Sequence, residues 1–248
     1  MLLAVLLGNT TLRYGFVQDG AVLGRAAVGI PPDGASLPGR WAPRGGFEAV
    51  MVGSVNPPRL EEALRELQGL GVPVLVAGRD VAIPIANRYR EPAEVGSDRL
   101  LNALAASGLW PGRGAVVLDF GTALSVSVAS PDGEFLGGPI AAGVAALAGG
   151  LSLRAARLPD VRPDRPPRRI LADSTREALQ AGVFWQIAGG ASRILEGLAA
   201  ELTFPFGVVA TGGDAELFAP FVPRVELVDG DLTFKGLALT YSRSQKGR

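Results

Sequence analysis

The chain has 248 residues, with 24 basic and 24 acidic side chains and a formal net charge of zero. Charged residues make up 19% and hydrophobic ones 48%, which argues against an intrinsically disordered chain and against a protein built to coat nucleic acid or an anionic membrane. With no Cys and no His, disulfides, thiolate nucleophiles, zinc sites of the usual ligands and Ser-His-Asp hydrolysis are excluded. Any proton transfer or metal ligation rests mainly on Asp, Glu and hydroxyl groups.

The chain opens on Met1-Leu-Leu-Ala-Val-Leu-Leu7, which lacks a basic leader and an A-x-A site and reads as a buried strand. That run breaks at Gly8-Asn9-Thr10 and resumes as a strand through Arg13–Val17, and Gly20 turns it into a third strand. Asp33–Gly46, rich in Pro, Gly and Arg, reads as a surface loop. Next come a strand at Glu48–Val52, an amphipathic helix at Leu60–Leu70, a strand at Pro73–Ala77 and a helix at Val95–Leu109. The opening pattern then returns. Ala115-Val-Val-Leu118 is apolar, breaks at Asp119-Phe-Gly-Thr122, resumes as Leu124–Ala129 and turns at Pro131-Asp-Gly133 into another strand.

Phe135–Leu153 carries no charge, but its Gly and Pro make it a Gly-rich loop feeding a buried helix at about Ala141–Arg157, not a membrane span. A Pro/Arg connection, Arg162–Arg169, precedes a long helix over Thr175–Leu202, whose start carries a capping box at Ser174-Thr-Arg-Glu177. The chain ends with a strand at Gly207–Ala210, the pair Gly212-Gly213, a helix at Asp214–Phe221 and a final helix from about Leu232. Two halves that alternate strands and helices predict an α/β protein of two related domains, 1–112 and 113–248.

Three places carry chemistry. Asp119 ends a buried strand, and Gly121 and Thr122 can offer backbone N–H groups and a hydroxyl to an anion. A cation-bridged phosphate site fits there, and so does an Asp that merely caps a turn. Gly96-Ser-Asp-Arg99 opens a helix, where Asp98 could accept a proton and Arg99 could hold an acidic substrate. Simple capping by Ser97 with a solvated Asp-Arg pair fits the same residues. Thr211-Gly212-Gly213 follows a strand and precedes a helix, where α/β proteins bind ligands; a plain tight turn is the alternative. No Walker-type motif and no G-x-G-x-x-G after a strand are present.

In order, Gly8-Asn9-Thr10, Gly53-Ser-Val-Asn-Pro57, Glu94-Val-Gly-Ser-Asp98-Arg99-Leu-Leu-Asn102, Asp119-Phe-Gly-Thr-Ala123, Asp132-Gly-Glu-Phe-Leu-Gly-Gly-Pro-Ile140, Gly143, Leu158-Pro159, Thr175, Glu177-Ala-Leu-Gln-Ala-Gly182 and Ala210-Thr-Gly-Gly213 make a set. The set resembles type III pantothenate kinases, of the superfamily that joins acetate and sugar kinases, heat-shock chaperone ATPases and actin. The resemblance implies two similar ribonuclease H-like (actin-like ATPase) domains with an inter-domain active-site cleft. It also implies ATP-dependent phosphorylation of pantothenate, the first committed step towards coenzyme A. By the same resemblance Asp98 is the general base, while Tyr89, Gly96, Ser97, Arg99 and Thr175 hold pantothenate. Gly8, Asn9, Thr10, Gly121, Thr122, Gly212 and Gly213 contact ATP, and Asp119 binds a potassium or ammonium ion. Magnesium, a homodimer and a cytoplasmic setting are implied as well, the last in keeping with the absence of Cys.

The sequence departs from the family pattern at several phosphate-facing positions. Leu6 stands where the family has a metal-organising aspartate, and a leucine cannot ligate a hard cation. Leu124, Ser125, Val126 and Ser127 stand where two hydroxyl residues and an aspartate are usual, and Ala142 replaces a Pro. A second expectation follows: a catalytically impaired relative that binds an acidic small molecule or a partner protein. A third is a kinase of the same fold acting on another small hydroxy acid.

Overall fold

A computed structural model describes residues 1–31, 37, 42–43, 45–155 and 157–246. Most of the loop expected over Asp33–Gly46 lies outside them. In chain order the first elements are β1 (Leu2–Leu7), β2 (Thr11–Gln18), β3 (Ala21–Gly29), β4 (Ala49–Ser54), α1 (Pro57–Gln68), β5 (Val74–Val76), β6 (Ala86–Asn87) and α2 (Ser97–Ala106). Then follow β7 (Gly114–Phe120), β8 (Ala123–Ala129), β9 (Glu134–Gly137), β10 (Ile140–Ala142) and α3 (Val144–Arg154). The last are α4 (Thr175–Glu201), β11 (Phe206–Thr211), α5 (Ala215–Phe218), β12 (Leu227–Val228) and α6 (Leu232–Lys246).

The chain divides into two compact units. The first comprises Met1–Gly108, Gly133–Phe135 and Asp231–Arg248, and the second Leu109–Asp132 and Leu136–Gly230. The last helix therefore belongs with the first unit, where a cut of the sequence at 112/113 leaves it with the second. Its Phe234 and Leu237 join an apolar cluster with residues of β1 and α2.

In the first unit the sheet order is β3-β2-β1-β4-β5, with β1 antiparallel to β2 and parallel to β4. The period-2 geometry of a strand sorts β1 between two cores. Leu3, Val5 and Leu7 pack with Val50, Val52 and the α1 residues Ala63, Leu64 and Leu67. Leu2, Ala4 and Leu6 face the other way, with Met51, Leu101, Phe234 and Leu237. Burial on both faces explains why β1 reads as an unbroken apolar run, each fully buried Leu contributing about 1.5–3 kcal/mol. The helix expected from Leu60 begins earlier, at Pro57, because Asn56 accepts a hydrogen bond from the Arg59 amide and Pro57 suits the first helical position.

In the second unit β7 lies between β11, parallel to it, and β8, antiparallel; β12 extends the sheet beyond β11, and β10 pairs with β8. Val116, Leu118 and Phe120, with Leu124, Val126 and Val128 of β8, meet Phe184, Ile187, Ala188 and Ala191 of α4 and Phe218 of α5. Ser174 caps α4 by accepting from the Glu177 amide at 3.3 Å.

Two expectations need correction here. Ala141 lies in strand β10, and the following helix α3 is not a buried one. It buries only Val144 and Ala148, because its Gly and Ala residues form no broad apolar stripe, and it leaves Leu151 and Leu153 exposed. The helix expected over Asp214–Phe221 shrinks to α5 and a 3₁₀ turn at Ala219–Phe221, as Pro220 requires. Among the described residues no helix is long and apolar enough to cross a membrane.

Candidate active site

In the first unit, Gly8-Asn9-Thr10 makes the tight turn between β1 and β2. The Gly8 amide donates to the Thr11 carbonyl at 3.0 Å, and the Asn56 side chain donates to the Gly8 carbonyl at 3.2 Å. Asn9 and Thr10 are exposed. Leu6 is buried, in register with Arg13 on β2. Gly53 makes its space: a side-chain carbon added at Gly53 would stand 3.2 Å from Leu6 and 3.0 Å from Leu101. The seat of Leu6 is thus apolar on the β4, α2 and α6 sides.

The chemistry of this unit sits at the start of α2. Gly96 occupies the cap position without a side-chain cap, and Ser97 is not the cap. Its hydroxyl instead donates to the Ser54 carbonyl at 2.9 Å, tying α2 to the end of β4. Asp98 accepts the Arg99 amide at 2.8 Å. Burial pushes the Asp98 carboxyl above the usual carboxylate range, and the Arg99 amide and charge, its own amide and the more distant Arg13 offset only part of that. A carboxyl destabilised in its charged form, at a helix start, is suited to accept a proton.

Arg99 is buried, at 5% exposure, so the Asp98-Arg99 pair is not a solvated one. Its guanidinium carbon lies 5.4 Å from the Phe135 ring centre and 6.0 Å from that of Tyr89. The two rings are 6.2 Å apart and inclined at 38°. The Tyr89 amide donates to the Asn87 side chain at 3.0 Å, and β6 pairs with the start of β9, which brings the two rings together. A cation held against aromatic faces keeps its charge and its orientation, and suits a carboxylate-bearing ligand. The sequence alone gives Phe135 no role; its signal there is an aromatic residue within Asp132-Gly-Glu-Phe-Leu-Gly-Gly138. Asn102 was likewise only part of a motif, and here it accepts from the buried Thr233 hydroxyl at 2.7 Å, fastening α2 to α6.

In the second unit, Gly121 and Thr122 turn β7 into β8, with Thr122 exposed and the Gly121 amide donating to the Ala123 carbonyl at 3.1 Å. Asp119 lies on the face of β7 opposite Leu118 and Phe120. Strand register sets Ser125 of β8 on one side of it and Thr211 of β11 on the other. Three oxygen-bearing side chains therefore share one row across three neighbouring strands. Gly212 closes over that row with φ +96°; a side-chain carbon there would stand 2.5 Å from the Asp119 carboxylate and 2.5 Å from the Phe120 carbonyl. Gly213 faces open space. Beside it, half-buried Asp214 has its carboxyl raised by burial, with Arg162 offsetting part. Thr175 is exposed at the first turn of α4.

A family model described as type III pantothenate kinase matches residues 2–197. The type III pantothenate kinase of Sphingopyxis alaskensis is 33% identical over 263 residues, covering 99% of this chain and 99% of that protein. Among solved structures, a conserved Campylobacter jejuni protein assigned to the Baf family of transcriptional activators superposes with a TM-score of 0.61 at 18% identity, covering 98% of this chain and 99% of that one. The ROK hexokinase of Thermus thermophilus gives 0.50 at 18% identity, over 98% of this chain and 99% of that one. At such identity the structural likeness shows the fold alone, the α/β architecture of actin-like ATPases and ROK kinases.

Proposed function

The chain belongs to the type III pantothenate kinase family, and on that premise we propose that it transfers the terminal phosphoryl group of ATP to the hydroxyl of pantothenate. The observation that carries this reading is the start of α2, a carboxyl raised by burial next to a buried guanidinium packed against two rings. Asp98 takes the hydroxyl proton as that oxygen bonds to phosphorus and the bond to ADP breaks. Arg99 pairs with the pantothenate carboxylate, and Tyr89, Gly96, Ser97 and Thr175 shape the rest of the substrate site. The turn at Gly8, Asn9 and Thr10, the turn at Gly121 and Thr122, and the pair Gly212 and Gly213 hold the nucleotide, the glycines allowing close approach of the backbone.

Magnesium, when bound, neutralises phosphate charge. Leu6 sits in an apolar seat, and among the described residues no group of three acidic ligands gathers. These residues do not fit a protein cage for magnesium, an ion that commonly comes with the phosphates themselves. The monovalent cation fares differently. Asp119, with hydroxyl residues in register on both sides, has the oxygen chemistry that a hard cation requires.

A homodimer working in the cytoplasm completes the reading. Leu153, Ile170 and Leu171, at 82%, 74% and 85% exposure, support an apolar contact with a second copy. The test of the central claim is ADP release from Mg-ATP, potassium and pantothenate, with Asp98→Asn alongside. We expect pantothenate-dependent turnover that falls by about 10²–10⁴-fold in the variant while its melting temperature falls no lower than the parent's. Turnover that ignores pantothenate, or that survives in Asp98→Asn, overturns the assignment.

A further inference from the structure

The Thr211 hydroxyl is the observation that the reading above does not use. Thr211 is 1% exposed, and among the described residues its Oγ1 has no hydrogen-bond partner. Buried hydroxyls almost always find a partner, and one left unsatisfied is costly to the folded state. An apolar β-branched residue of the same shape would fill this place at the end of β11 without that cost, since Val208, Val209 and Ala210 precede it in the strand. The hydroxyl therefore calls for a ligand that arrives from outside the chain.

Its surroundings decide the sign of that ligand. Thr211 is the register partner of Asp119, and both lie on the sheet face opposite the Val116–Leu118–Phe120 row. A hydroxyl beside a carboxylate lies in negative potential, which repels a phosphate and attracts a cation. Hard monovalent and divalent cations take oxygen donors, hydroxyl and carbonyl oxygens among them. On the other flank of Asp119, Ser125 is only half-buried, so water can satisfy it. Gly212 keeps the approach to the carboxylate narrow, because any side chain there would meet the Asp119 carboxylate.

We propose that Thr211 supplies a neutral oxygen ligand, through Oγ1, to the monovalent cation held by Asp119, and so sets the affinity of this site for potassium or ammonium. The inference rests on the reading of Asp119 as the cation's carboxylate, and it assigns to Thr211 a role separate from the glycines that follow it.

The experiment compares thermal melting of the parent, Thr211→Val, Thr211→Ser and Asp119→Asn in potassium chloride and in choline chloride at equal ionic strength. The half-saturating potassium concentration for turnover is measured in parallel. Thr211→Val is expected to melt higher than the parent in choline, since its buried orphan hydroxyl is gone. It is also expected to lose most of the potassium-dependent rise in melting temperature and to need about tenfold more potassium, a difference of about 1.4 kcal/mol in binding. Thr211→Ser, which keeps the oxygen, should follow the parent.

A potassium response in Thr211→Val equal to that of the parent, with Asp119→Asn unresponsive, overturns the inference and leaves the role of Asp119 standing. No potassium response in the parent itself overturns both. A rise in the KM for ATP with the potassium response intact makes Thr211 a nucleotide contact and rejects it as a cation ligand. Failure of Thr211→Val to fold overturns the premise that the hydroxyl has no structural partner.

Discussion

Leu6 and Asp119 occupy the same place in the same motif. Each lies two residues before a turn glycine, Gly8 or Gly121, near the carboxyl end of a strand inside its sheet. Their neighbours differ completely. Leu6 meets Leu101 and Leu237 across the space left by Gly53. Asp119 has Ser125 and Thr211 beside it and Gly212 above it. The same backbone frame therefore serves as an apolar seat in one unit and an oxygen-lined seat in the other. In the first unit the charge stands on α2 instead, at Asp98 and Arg99. A strand–glycine–strand turn provides donors and space, and the side chains packed around it decide whether an ion can be held there.

Exchanging the two seats is the most direct way to break this comparison. Leu6→Asp buries a carboxylate against Leu101 and Leu237; Arg13, its register partner on β2, offsets part of the burial cost, leaving about 3 kcal/mol and a fall in Tm on the order of 10 °C. A melt equal to that of the parent, with tighter Mg-ATP binding by calorimetry, would show that the first seat tolerates charge after all. The reverse exchange, Asp119→Leu, is expected to lower kcat/KM by about 10²–10³-fold, the size found when a transition-state electrostatic element is deleted. Steady-state kinetics at saturating potassium checks it, and a loss under threefold would place the second seat outside the chemistry.

The turns themselves offer a smaller contrast. Gly212→Ala forces a side chain into the left-handed region and against the Phe120 carbonyl, costing about 1–3 kcal/mol. Gly8→Ala meets only the Thr11 carbonyl at 3.1 Å, so its melting temperature should fall less. Equal falls would mean that the two turns are equally tight.

The smallest effect separates the charge on α2 from the turns. The Asp98 carboxyl is raised in the folded chain, so the fold binds that proton more tightly than the unfolded chain does. The resulting stabilisation is fully present below the unfolded value of about 3.9 and is lost as pH rises through the higher folded value. Asp98→Asn should therefore melt higher than the parent at neutral pH, with the gap closing towards pH 4. The acid limb of the parent's kcat/KM should lie above that of an ordinary aspartate. A gap that is constant with pH would mean that Asp98 titrates like an exposed carboxyl.

Much of this was legible in the residues themselves. Apolar runs ending in Gly-Asn-Thr and Asp-Phe-Gly-Thr mark strands and turns, because burial on both faces removes the polar alternation and a glycine lets the chain reverse. The start of α2 was legible too, since a Gly-Ser-Asp sequence before an apolar stripe is a helix N-terminus. The ends of elements were less so. Asn56-Pro57 starts α1 three residues before its apolar stripe begins, and Pro220 stops α5 early, both through backbone chemistry that hydrophobic periodicity does not record.

The sequence by itself determined which strands are fully buried, where the chain turns, and that Asp98, Arg99 and Asp119 stand at strand or helix ends. Tertiary structure alone decided what surrounds them. Tyr89 and Phe135 meet at Arg99 only because β6 pairs with β9, and Thr211 reaches Asp119 only through the parallel register of β11 on β7. The last helix joins the first unit only because Phe234 and Leu237 find apolar partners there. Local pattern reports the conformation a segment prefers. Charge, burial and ligation depend on which distant segments pack beside it, and that is settled by the free energy of the whole fold.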